Sequence, residues 1–129
     1  MPNYDDSLFS PPAPVAMITL RNPESGASLA DIPMLIDSGA DVTLLPRSFV
    51  EQIGIIPRAD ASYELVAFDG SVSISQVVQA DLIFLHKIFK GQYLLLDQGS
   101  GILGRDILNH VSLLLDGPQL QWEERRHSD

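Results

Sequence analysis

Apolar positions along this chain come in short runs separated by Gly, Pro, Asn and Asp. Such runs fit buried or half-buried strands, whereas helices need longer stretches with a 3.6-residue period. Residues 15–20 form the first β-prone run, and 22–28 carry turn residues around Pro23 and Gly26. Residues 29–36 predict a strand that becomes wholly apolar at its end (Met34-Leu35-Ile36), and 42–45 a short strand after it. Pro46 suits the first turn of a helix with its body at 48–53, Phe49, Val50 and Ile53 on its buried face and Gly54 as its stop.

Further on, residues 63–75 alternate around Asp69-Gly70, a two-residue hairpin signal. Residues 77–85 and 92–96 predict strands joined by a loop at 87–91. A short helix is expected at 104–110, a strand at 111–115, a turn at Gly117-Pro118 and a last strand at 119–122. Many short strands with two short helices make a small, mostly β domain. Its expected extent is 15–122, between a proline-rich flexible arm at 1–14 and a polar tail at 123–129. Within the arm, Leu8-Phe9 is a candidate self-cleavage point.

At 129 residues the chain has room for one core, and 45% hydrophobic with 19% charged residues describes a globular protein. There is no cysteine, which excludes disulfides, thiolate metal sites and thiol nucleophiles. His86, His110 and His127 lack metal-ligand spacing, so neither a metal nor an organic cofactor is expected. Net charge is −9, and the local basic pair Arg125-Arg126 is flanked by Glu123, Glu124 and Asp129. A nucleic-acid partner is therefore not expected. With no apolar run of membrane-spanning length and no signal pattern, the expectation is a soluble, cytoplasmic protein with no membrane partner. The initiator-like Met1 carries the expectation of a free-standing protein rather than a piece cut from a polyprotein.

The most informative stretch is 34–45, M-L-I-D-S-G-A-D-V-T-L-L, in which an apolar run delivers Asp37 into a Ser-Gly turn. A carboxylate held against an apolar strand is costly unless it is shared, paired or used. Ser38 offers a hydroxyl, Gly39 allows close backbone approach, and Ala40 leaves room beside the carboxylate. A second segment, 101–108 (G-I-L-G-R-D-I-L), again ends an apolar run in Gly plus charge.

Together these segments resemble the retropepsin-like aspartic proteases, with their D-[ST]-G-A motif and downstream G-R-[DN] motif, over roughly residues 15–122. The resemblance implies an all-β, closed barrel with a flap hairpin and one or two short helices, assembled as a homodimer. It makes Asp37 the catalytic residue, and Ser38 and Gly39 the active-site turn and dimer contact. It places Gly39, Ala40, Asp41 and the hairpin tip Phe68, Asp69 and Gly70 against substrate, and implies a structural ion pair between Asp41 and Arg105. Asp69 at the tip departs from the glycine-rich flap of retroviral proteases.

Peptide hydrolysis needs a base for the water and an acid for the carbonyl oxygen, and two carboxylates sharing one proton supply both. The chain holds one D-[ST]-G, so the resemblance implies two Asp37 residues facing each other across a homodimer axis. The implied activity is an aspartic endopeptidase acting on extended or unfolded protein segments. The alternative is a non-catalytic dimerisation or peptide-binding module with the same fold, and a third reading is a protease acting only on itself.

Overall fold

In the computed structural model, which describes residues 2–59, 61–66 and 69–126, the apolar runs become ten strands and two short helices. Strand β1 (Tyr4–Asp5) lies on the edge of β2 (Ala13–Arg21), which runs antiparallel to β3 (Ser28–Ile36). Next come β4 (Leu44–Pro46) and α1 (Arg47–Gln52), then β5 (Ser62–Val66), β6 (Val72–Phe84) and β7 (Lys87–Leu96). The chain finishes with β8 (Gly101–Leu103), α2 (Arg105–Leu108) and the hairpin of β9 (Leu113–Asp116) and β10 (Gln121–Glu124).

The sheet closes on itself. From β2 the pairing passes through β3, β8, β4, β7 and β6, and β6 then returns to β2. Closure satisfies backbone groups that an open edge would expose. The seam is short: Thr19 faces Ile83, Leu20 faces Leu82 and Arg21 faces Asp81. Inside the ring Ile18, Leu20, Ile32, Met34, Leu45, Leu82 and Leu103 are fully buried. Beside the seam, Asp81 is 2% exposed and takes hydrogen bonds from Arg21 Nε (3.0 Å), Arg21 Nη2 (2.9 Å) and Lys90 Nζ (3.3 Å).

Several boundaries differ from the sequence expectations. The hairpin strand and the strand expected at 77–85 are one continuous β6, so the hairpin grows directly out of the barrel wall. The last described pair of the hairpin is Val66 with Val72, and residues 67 and 68 on the way to Asp69-Gly70 lie outside the described residues. The loop expected at 87–91 is strand; the reversal is made by Leu85 and His86, whose φ angles are 53° and 63°. Trp122 fills the core, with its ring 6.1 Å from Phe84 and Nε1 donating to the Val15 carbonyl at 3.1 Å. The N-terminal segment lies along β10: Trp122 N–H donates to Pro2 O, and Tyr4 N–H to Leu120 O. Among the described residues no helix is long and apolar enough to cross a membrane.

Candidate active site

Strand β8 is inserted between β3 and β4, the two strands that the Asp37 loop connects. Met34, Leu35 and Ile36 run parallel to Gly101, Ile102 and Leu103, and a Cβ at Gly101 would stand 2.5 Å from the Leu44 carbonyl oxygen. Only glycine lets the strands approach this closely. The pairing carries one residue further, Asp37 N–H donating to Leu103 O at 3.1 Å, and there the chain turns.

Within the turn Ala40 N–H reaches Asp37 O (3.2 Å) and Gly39 N–H reaches Asp37 Oδ1 (2.9 Å). Asp37 is half-buried, while Ser38 and Gly39 are exposed. A Cβ on Gly39 would sit 3.1 Å from Asp37 Oδ1, so a side chain there would crowd the carboxylate. Oδ1 is thus anchored, and Oδ2 accepts no hydrogen bond among the described residues.

The start of α2 holds the loop from the other side. Arg105 N–H donates to Ala40 O at 2.8 Å, and Arg105 Nη1 to Ser38 O at 2.7 Å. Thr43, fully buried, donates its hydroxyl to Asp106 Oδ1 (2.6 Å) and its N–H to Asp106 Oδ2 (3.0 Å), while accepting from Gly104 N–H (3.0 Å). A Cβ at Gly104 would lie 2.5 Å from Val42 O and 3.0 Å from Ala40 O. The loop is therefore clamped by backbone contact and charge-assisted hydrogen bonds rather than by apolar packing.

The structure brings Asp37, Ser38, Gly39, Ala40 and Arg105 together. The ion pair expected between Asp41 and Arg105 is absent among the described residues. Asp41 is exposed and keeps its water, and an exposed pair would gain little, so the guanidinium satisfies the Ser38 carbonyl instead. Thr43 and Asp106 had no assigned role in the sequence; the signal available was Asp106 inside G-R-D.

At the hairpin tip Asp69 and Gly70 are exposed, and Gly70 has φ 85°. Hydrogen bonds from the Ser71 hydroxyl and N–H hold the Asp69 carboxyl below its usual range. Neither tip residue bonds to the Asp37 turn, and Phe68 lies outside the described residues. The hairpin's link to the site is apolar: Leu65 packs with Leu44, Val77 and Leu94 in a small cluster that Val42 and Ile102 also join.

The same architecture occurs in a solved protease from EIAV in complex with the inhibitor HBY-793. It superposes with a TM-score of 0.57 at 20% identity, over 76% of this chain and 86% of that one. The fold is retropepsin-like. No family model and no curated protein matches the sequence. The retropepsin-like fold thus rests on the superposition, and the chain's one D-S-G turn lies where β3 and β8 end side by side.

Proposed function

We propose that the chain is an aspartic endopeptidase that works as a homodimer on extended protein segments. The observation that carries this reading is the Asp37 carboxylate, half-buried at the end of an apolar strand, with Oδ1 held by Gly39 N–H and Oδ2 without a donor among the described residues. One carboxylate cannot act as base and acid in the same step, so the second comes from Asp37 of a second copy across a two-fold axis. Repulsion between the two carboxylates keeps one proton between them. The ionised Asp37 takes a proton from water as its oxygen attacks the peptide carbonyl carbon, and the protonated one gives its proton to the carbonyl oxygen. Collapse of the tetrahedral diol breaks the C–N bond: the Asp37 that took the water's proton gives it to the nitrogen, and the other Asp37 takes a proton back from a diol hydroxyl, which restores the starting pair. Gly39 and Ala40 face the substrate backbone, and the β5–β6 hairpin acts as a flap that excludes water. An extended peptide suits such a groove because it can add β-type hydrogen bonds.

The test is degradation of an unfolded protein across the acidic to neutral range, by wild type and by Asp37→Asn, with and without an aspartic-protease inhibitor. Cleavage is expected for wild type, blocked by the inhibitor, and reduced to background in the variant while the fold is kept. Cleavage surviving in Asp37→Asn refutes the mechanism. A dimeric wild type with no activity at any pH would instead identify a peptide-binding module.

A further inference from the structure

In a protein with net charge −9 and eight lysines and arginines, Lys87, Arg125 and Arg126 line one open groove together with His86 and His110. The groove, about 720 Å³ in volume, forms where the β6–β7 turn, the segment after α2 and the end of β10 meet. All five of these side chains are exposed. The carboxylate in the lining is Glu124, which Arg126 already reaches at 3.4 Å. Leu85 and Val111, half-buried against the core, supply an apolar floor. Lys87 Nζ donates to His110 O (3.3 Å) and Arg125 N–H to Ser112 O (2.7 Å), so the three segments are tied together.

A second observation concerns the turn itself. Two-residue hairpins with positive φ at both positions favour Asn and Gly, and other side chains there are strained. This turn uses Leu85 and His86. Leu85 packs against the core, but His86 is exposed, so packing does not account for a histidine there. His86 is itself one of the residues that line the groove.

We propose that this groove binds an acidic segment of a partner protein, a stretch with closely spaced Asp or Glu side chains. Arginine and lysine pair with carboxylates through charge-assisted hydrogen bonds, and the apolar floor accommodates the intervening side chains. A polynucleotide would need many phosphate contacts against a strongly negative surface, and the groove offers three permanent cations. The groove shares no residue with the Asp37 turn: Arg105 at the start of α2 touches Ser38, while His110 beyond its end lines the groove.

Fluorescence anisotropy of a labelled Glu-rich peptide with the full chain tests this, using a Gln-for-Glu peptide and a single-stranded oligonucleotide as comparison probes. Expected is binding that weakens with salt, is lost for the Gln peptide, and falls on the order of tenfold or more when Lys87, Arg125 and Arg126 are all changed to Glu. His86→Gly should raise Tm by relaxing the turn and yet weaken peptide binding, a combination that a merely structural residue would not give. Equal binding by wild type and the charge-reversed chain would overturn the proposal. So would tighter binding of the oligonucleotide, or salt-sensitive self-association without peptide binding. Binding is read without turnover, so its failure is separable from failure of the proposed activity.

Discussion

Replacing Asp81 with Ala should loosen the seam that closes the barrel. The carboxylate accepts three hydrogen bonds from two cations, one of which, Arg21, faces it directly in the β2–β6 register. Breaking a fully buried ion pair costs about 3–5 kcal/mol, and an exposed pair contributes about 0–1 kcal/mol. Asp81 belongs to the first class, with a side chain 3% exposed, but its partners do not: Arg21 is 33% and Lys90 67% exposed. Both cations regain water when the carboxylate goes, so the expected loss is about 2 kcal/mol. With an unfolding entropy of about 2 cal/mol/K per residue, that lowers Tm by about 7 °C at fixed protein concentration.

The pH dependence follows from the same contacts. Burial pushes the Asp81 carboxyl up, but hydrogen bonds from Arg21 and Lys90, with their charges, outweigh it and hold the group below its usual range. A carboxyl depressed in the fold stabilises it above the unfolded-state value near pH 4, and that contribution is lost as pH falls through the folded value. Urea unfolding of wild type and Asp81→Ala should therefore differ most near neutrality and converge as pH falls through the folded-state value. A difference under about 0.5 kcal/mol at pH 7, or one that grows on acidification, would refute the reasoning.

Thr43→Val removes the hydroxyl that joins Asp106 to Gly104 N–H and leaves that buried N–H without an acceptor; a loss of about 1–3 kcal/mol in urea unfolding is expected. Tyr93 is pushed up by burial and by the negative charges of Asp106 and Asp81, and donates its hydroxyl to Phe89 O at 2.7 Å. The stability this group contributes is intact below about pH 10 and falls as pH rises further, because the unfolded chain ionises first. Tyr93→Phe should cost about 1 kcal/mol at neutral pH, and its deficit should shrink in unfolding curves taken above about pH 10.

The Asp37 turn was legible because its cues are local: an apolar run, one acid, then Ser-Gly-Ala. The same holds for Gly104-Arg105-Asp106, although which atoms Arg105 and Asp106 contact depends on a loop some sixty residues away, and a pattern of residue types does not encode that. The β6–β7 reversal was hidden because Leu85 and His86 carry none of the usual turn chemistry, so the loop was expected at 87–91. Gly91 is instead a strand residue whose Cβ would meet the Tyr93 ring. Trp122 could from its position near the C-terminus either seal a dimer sheet or fill a core edge; its burial and its indole N–H bond to Val15 O place it in the core of the single chain.

The insertion of β8 between β3 and β4 also orders events during synthesis. The strand that flanks Asp37 is completed only at Leu103, long after Asp37 itself is made, and its paired residues Met34 and Gly101 are far apart in sequence. Contacts of such long range form slowly, since loop closure must precede them. Until Leu103 arrives, β3 and β4 present unpaired apolar edges to their surroundings, a hazard for association with other nascent chains. The Asp37 carboxylate is made early and its housing late, so the turn proposed as the hydrolytic centre is held in place only once β8 has joined β3.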